Sequence, residues 1–95
     1  MKIGNSIKEL RKEKGIKQLD LAKESGLSQT FLSQLEKGVK TPSLETLEKI
    51  SKVLDIPVPV LTFLAIEEDM VSEDKKEMYK KMMPTLTGIV KEVFM

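Results

Sequence analysis

The sequence contains no cysteine and no histidine in its 95 residues. Without cysteine the chain has neither disulfides nor thiolate metal sites, as expected for a protein of the reducing cytoplasm. Without histidine it lacks the usual general base, the usual imidazole metal ligand and the usual pH switch. Catalysis would depend on carboxylates, lysine, serine or the single Tyr79, and no motif groups them. We therefore expect no enzyme, no metal and no cofactor.

Long apolar runs are missing too. The sequence has no stretch of about 18 apolar residues, so we expect no membrane-spanning helix. No basic, then apolar, then small-residue leader opens it, so we expect no secretory signal. Its length suits one domain with at most a small appendage, and such a domain can bury only a modest core.

A net charge of +1 conceals an uneven distribution of charge along the chain. Residues 1–42 contain nine Lys and Arg against five Asp and Glu, a balance of +4. Residues 43–95 contain seven against ten, a balance of −3. The basic first half favours contact with a polyanion, and the acidic second half indicates a different task.

Helical spacing of apolar residues dominates the sequence, and strand signals are weak. Residues 1–66 divide into five predicted helices, at about 6–14, 18–25, 29–37, 44–54 and from Pro59. Ser6 with Glu9 forms a candidate capping box for the first helix. Ser28 and Ser43 are the predicted caps of the third and fourth helices. The predicted buried stripe of the fourth helix comprises Leu44, Leu47, Ile50, Val53 and Leu54.

The remainder of the chain reads as a hinge at 67–72 followed by a helical extension at 73–95. A sixth helix is predicted at about Glu73–Met83, and Pro84 either kinks it or begins a seventh. The fifth helix carries two apolar stripes, of which only one is needed to close the core. The other stripe comprises Val60, Phe63, Ile66 and Met70. We therefore expect that stripe and the extension to form a dimer surface.

One segment, Gln18–Lys37, has the features of two short helices that cross at a tight turn. The small Ala22 lets the helices approach, and Gly26 suits a left-handed turn conformation. The shared core is supplied by Leu21, Leu27, Leu32 and Leu35. The outward face of the second helix is polar, and side chains of this kind can read base edges in a DNA major groove.

From about Ile3 to Leu64 the sequence resembles the Cro/repressor (Xre-like) transcription regulators. The matching segments read IKELRKEKGIKQLDLA, LSQTFLSQLEKG and TPSLETLEKISKVLDI. The resemblance implies an all-α fold, with a five-helix lambda-repressor-like DNA-binding domain followed by an extension of one or two helices. It also implies an ion pair between Arg11 and Glu36 that ties helix one to helix three. Lys17 departs from the family, which usually has a Thr or Ser cap there.

The resemblance assigns Gln18 to support of the recognition helix and to the DNA backbone, and it directs four further positions to bases. We expect Lys37 and Lys40 to meet phosphates at the end of that helix. The complete predicted DNA-binding set is Gln18, Ser28, Gln29, Thr30, Ser33, Gln34, Lys37 and Lys40.

These features together predict a sequence-specific transcriptional regulator, a repressor that binds a palindromic operator as a homodimer with helix 29–37 in the major groove. Its expected location is the cytoplasm of a bacterium, with the gene on the chromosome or on a phage. Two alternatives remain open. The protein can be antitoxin-like, repressing its own operon while residues 73–95 bind a partner protein. It can also be a protein-interaction module that kept the fold and lost DNA affinity, although the basic first half disfavours this.

Overall fold

The structure, a computed structural model, describes residues 3–95. This part of the chain is all-α, as predicted, and contains no strand. Its α-helices are α1 (Ile3–Glu13), α2 (Gln18–Ser25), α3 (Gln29–Glu36), α4 (Leu44–Leu54), α5 (Val58–Leu64) and α6 (Lys76–Phe94). Two short 3-10 turns, Glu68–Met70 and Glu73–Lys75, lie between α5 and α6. Met1 and Lys2, with which the predicted domain begins, lie outside the described residues.

Helices α1 to α5 enclose one hydrophobic core. Its fully buried side chains come from all five helices and from the α4–α5 connection: Ile7, Leu21, Leu32, Leu35, Ile50, Leu54, Ile56 and Leu61. Gly4 lets α1 pack closely on the end of α3, because a Cβ at this position would overlap the carbonyl group of Leu35. The core therefore fixes α3 against α1 and α2 and leaves its opposite side to solvent.

Two predictions about α1 and α4 were wrong, and the predicted second stripe of the fifth helix does not lie on one helix, because α5 ends at Leu64, before Ile66 and Met70. Helix α1 begins at Ile3 rather than Ser6, so Ser6 lies inside the helix and does not cap it. The reason is that Ile3 and Ile7 bury the same face, which makes the additional turn favourable. Leu44 is 63% exposed although it was assigned to the buried stripe of α4. It lies roughly a quarter turn away from the centre of the buried face of that helix.

The extension forms one α-helix rather than two. Helix α6 runs through Pro84, which is exposed, so water can reach the carbonyl group that the missing proline N–H leaves unpaired. The Tyr79 hydroxyl donates to the Ile66 carbonyl at 3.1 Å, and Lys91 pairs with Glu13 at 2.9 Å. No residue of α6 is buried. None of the helices in residues 3–95 is long and apolar enough to cross a membrane.

Candidate nucleic-acid interface

Helices α2 and α3 form a helix-turn-helix because local signals end one helix and start the next. Gly26 adopts φ 72°, the left-handed conformation that ends α2. The Leu27 amide donates to the Ala22 carbonyl at 2.8 Å and closes the turn. The Phe31 amide then donates to Ser28 Oγ at 3.0 Å, which confirms Ser28 as the cap of α3. This short turn sets the direction in which α3 leaves the core.

A buried ion pair fixes α3 to α1. Arg11 Nε lies 2.8 Å from Glu36 Oε2, and Arg11 Nη2 lies 3.0 Å from Glu36 Oε1. The two side chains are only 8% and 2% exposed. A two-point contact of this kind fixes orientation as well as distance. The predicted ion pair is confirmed, and Glu36 is therefore part of the scaffold although it belongs to α3.

The same carboxylate positions the first residue of α2. Gln18 Nε2 donates to Glu36 Oε1 at 3.0 Å, and Gln29 Nε2 lies 3.5 Å from Gln18 Oε1. A continuous chain of polar contacts thus runs from the buried Arg11 to the exposed start of α3. It holds the amide groups of Gln18 and Gln29 side by side.

The outward face of α3 borders a shallow depression. The structure brings six of the eight predicted residues together there: Gln18, Gln29, Thr30, Ser33, Gln34 and Lys37. Gln29 and Thr30 are exposed, whereas Ser33 and Gln34 are half-buried. Amide, hydroxyl and ammonium groups therefore line one concave surface.

Val39 completes this depression and is not among the residues predicted from the sequence. Its side chain is 68% exposed, and its amide donates to the Gln34 carbonyl at 2.9 Å. The chain turns back on the end of α3 at the preceding Gly38, which has φ 80°, a left-handed conformation that glycine adopts readily. The sequence did contain a signal for this residue. Val39 is an apolar residue between Gly38 and Lys40 in a polar loop, and no local structural role explains it.

Ser28 and Lys40 lie outside the depression. Ser28 stands at the N-terminus of α3, where its oxygen caps the helix and its hydroxyl proton remains available to donate. Lys40 borders a neighbouring cleft between the start of α1 and the loop after α3, together with Lys8 and Lys37. Lys8 was not predicted, since only the packing of α1 on α3 brings it close to the other two lysines. Three lysines thus flank one end of the polar face.

The described residues contain no group of three or more His, Cys, Asp or Glu side chains that could hold a metal ion. Glu36, which accepts a hydrogen bond from Gln18 at the polar face, is already paired with Arg11. The surface therefore combines neutral hydrogen-bonding groups with a positive rim. Such a combination suits a ligand with polar edges and a negatively charged backbone.

Comparison with known proteins is consistent with this geometry. A helix-turn-helix family model matches residues 7–61. The HTH-type transcriptional regulator SinR of Bacillus subtilis is 36% identical over 94 residues, which cover 97% of this chain and 85% of SinR. The immunity repressor protein of Bacillus phage phi105 is 35% identical over 81 residues, which cover 85% of this chain and 54% of that repressor.

Two solved structures resemble this one. A crystal structure of SinR in complex with DNA has a TM-score of 0.60 at 44% identity and covers 63% of this chain and 97% of that chain. A SinR–SinI protein complex has a TM-score of 0.62 at 34% identity and covers 87% of this chain and 80% of that chain. The family model covers more than half of the sequence, and SinR matches it nearly from end to end. The chain therefore belongs to the Cro/repressor (Xre-like) family of helix-turn-helix transcriptional regulators.

Proposed function

We propose that this protein is a sequence-specific DNA-binding regulator that represses transcription by occupying an operator. The observation that carries the proposal is the depression along α3, where amide and hydroxyl side chains line the outward face of a helix held by the buried Arg11–Glu36 pair. The similar SinR has been solved in complex with DNA, and a similar phage protein is an immunity repressor. Both support the proposal.

In this mechanism α3 enters the major groove. Gln29 and Gln34 can each make the two-point contact by which an amide recognises adenine. The hydroxyls of Thr30 and Ser33 are short and supply secondary contacts. Val39, rigid and apolar, suits the methyl group of a thymine. Base discrimination thus rests mainly on the two glutamines.

Contacts with phosphates fix the position of α3 along the groove. Lys37 and Lys40 border the end of α3, and Lys8 joins them from α1. Gln18, whose amide group is held by Glu36, donates to a phosphate at the start of α2 in this proposal. The Ser28 hydroxyl contributes in the same way at the start of α3. These contacts add affinity without sequence preference.

A single α3 covers few base pairs, so we expect the protein to act as a homodimer on two half-sites. Two-fold symmetry then requires a palindromic operator with half-sites about one helical turn, roughly 34 Å, apart. Residues 73–95 are the proposed dimerisation element. A cytoplasmic location and the absence of catalysis remain predictions.

A second candidate function retains repression and adds a protein partner. It is favoured by the solved complex of the similar SinR with SinI and by the exposed apolar side chains along α6 of this chain. In this antitoxin-like arrangement residues 73–95 bind the partner. Co-purification with the product of a neighbouring gene would identify it, whereas a purified chain without such a companion favours the homodimer alone.

Selection of bound sequences from a random DNA pool tests the proposed function. We expect enrichment of a palindrome with half-sites about 10 base pairs apart, centre to centre. If the folded protein enriches no sequence, sequence-specific DNA binding is rejected. The alternative of a protein-interaction module without DNA affinity is then favoured.

The salt dependence of binding to the selected site tests the phosphate contacts separately. The slope of log K against log salt should fall by about one unit for Lys37→Ala and for Lys40→Ala. The variant Lys52→Ala, on the exposed side of α4, is the control and should leave the slope unchanged. An unchanged slope for Lys37→Ala or Lys40→Ala would remove that lysine from the phosphate contacts.

A further inference from the structure

Helix α6 carries an apolar stripe that the rest of the chain does not cover. The outward stripe comprises Met78, Met82, Leu86, Ile89 and Val93, which are 41% to 69% exposed. Successive members are three or four residues apart, so they share one side of the helix. The adjoining side, with Tyr79, Met83, Val90 and Phe94, is half-buried. The outward stripe is therefore additional to the surface by which α6 lies on its own domain.

The extent of the outward stripe indicates a binding surface. It runs from Met78 to Val93, which is 16 residues of α6 and about 22 Å along the helix axis. Single exposed apolar residues are common on proteins, but a continuous apolar row of this length usually marks an interaction site. These five side chains are apolar, so they form no polar contacts, and they are too exposed to belong to the core.

Charged residues beside the outward stripe indicate what covers it. Lys81 and Glu92 are eleven residues apart, about three helical turns, and so flank the same edge of the stripe. Among residues 3–95 neither has an ion-pair partner. By contrast, Lys80 and Lys91 on the side toward the domain pair with Glu68 and Glu13.

The outward stripe is nearly symmetric about Leu86. Met78 and Val93 lie at similar distances on either side of it, and so do Met82 and Ile89. Lys81 precedes Leu86 by five residues, and Glu92 follows it by six. An antiparallel copy of α6 therefore sets Lys81 close to the partner subunit's Glu92, and this pair occurs twice. In a parallel copy Lys81 and the partner subunit's Glu92 would lie about 16 Å apart along the helix axis, so neither pair would form.

From this self-complementarity we propose that the outward stripe binds the same stripe of a second copy, with the two α6 helices antiparallel and the two-fold axis near Leu86. The inference rests on the homodimer of the proposed function and specifies its contact surface. Apolar side chains form the centre of the contact, and the two ion pairs at its rim select the orientation.

Disulfide cross-linking of the full chain tests the orientation, because the natural sequence contains no cysteine. A disulfide requires Cα atoms about 4.4–6.8 Å apart. Leu86→Cys should cross-link at the two-fold axis, and so should the double variant Met78→Cys/Val93→Cys. Met78→Cys alone should not, since an antiparallel pair separates the two copies of residue 78 by about 22 Å. Cross-linking by Met78→Cys alone, or by none of the variants, would overturn the proposal.

Charge reversal provides an independent measurement. Lys81→Glu and Glu92→Lys should each raise the dimer dissociation constant by about tenfold in sedimentation, because each places two like-charge pairs at the rim. The double variant Lys81→Glu/Glu92→Lys should restore dimerisation. Equal dissociation constants for all variants would exclude the antiparallel contact. Circular dichroism of each variant serves as the control that the variant is folded.

Binding to a single half-site of the selected DNA separates this inference from the proposed function. All α6 variants should bind that half-site like the natural chain, since α6 contributes no residue to the depression along α3. Cross-linking in the expected pattern without any DNA binding rejects the proposed function and keeps the α6 contact. DNA binding by a dimer that fails the cross-linking test rejects the α6 contact alone.

Discussion

Two glutamines on α3 have no part in the core and are best explained by contacts outside the chain. Gln29 is exposed, and within residues 3–95 its side chain forms one hydrogen bond, the long one to Gln18 at 3.5 Å. Gln34 borders the same depression. Replacing either with Ala should weaken binding to the selected site by roughly 1–3 kcal/mol and leave binding to random DNA unchanged. Fluorescence anisotropy on both DNAs measures this, and equal losses on both would show that the amides do not read bases.

Val39 provides a sharper test at the scale of one methyl group. Replacing a contacted thymine with uracil removes the 5-methyl group, which should cost the natural protein about 0.8 kcal/mol. In Val39→Ala the same DNA change should cost almost nothing, because the contact is already lost. Affinities for the four combinations form a double-mutant cycle, scanned over each thymine of the selected site. Additive losses at every thymine would show that Val39 contacts no methyl group.

At the scale of the helix, α2 is the weak element of the interface. Lys17 occupies its N-cap with φ −73° and ψ 148°, the extended conformation that a capping residue needs, but its side chain forms no capping bond. Ser28 and Ser43 do cap α3 and α4. Lys17→Thr should therefore raise the free energy of unfolding by about 1 kcal/mol.

The variant Lys17→Ala separates the cap from the removal of a lysine. Urea denaturation of both variants and of the natural chain gives the comparison. If Lys17→Ala is as stable as Lys17→Thr, the gain comes from the lost charge and not from a capping hydroxyl.

The helices that the sequence predicted well are those with local start and stop signals. Gly26, Ser28 and Ser43 each act within a few residues, and the structure confirms all three roles. The start of α1 was wrong because the Ser6 signal is weaker than the burial of Ile3, which depends on α3. Local chemistry therefore predicted boundaries except where packing between distant segments decides them.

Pro84 shows the same limit in the extension. Its ring suggested either a kink or a new helix, yet α6 continues through it. Tyr79 binds the Ile66 carbonyl on one side of Pro84, and Lys91 binds Glu13 on the other. Both contacts join residues at least 13 apart in sequence, so no reading of the local pattern could supply them.

The residues of the interface could likewise be predicted only in part. The resemblance to a family supplied the polar residues of α3 and the ion pair that supports them. Lys8 and Val39 were missed because their proximity to α3 arises from the fold of α1 and of the loop after α3. Residues in the motif could thus be predicted, whereas residues brought to its rim by packing could not.

For the whole molecule, the core and the extension have different roles. Among residues 3–95 the core side chains lie between Ile3 and Ala65, and α6 adds no buried residue. Its attachment consists of the Tyr79 hydrogen bond, half-buried apolar contacts and largely exposed ion pairs, which individually stabilise little. The DNA-binding unit is therefore expected to fold without the extension and to depend on it for assembly.

Truncation after Asp69 tests this division. The fragment should remain helical and cooperatively folded, and it should sediment as a monomer. It should bind a single half-site as the natural chain does and lose affinity for the full palindrome, because the second half-site is no longer bound by a linked subunit. The full-length variant Ile89→Asp is the matched control: it keeps the extension, places a charge in the outward stripe and should give the same monomer. A fragment that still sediments as a dimer would place the subunit contact within α1 to α5.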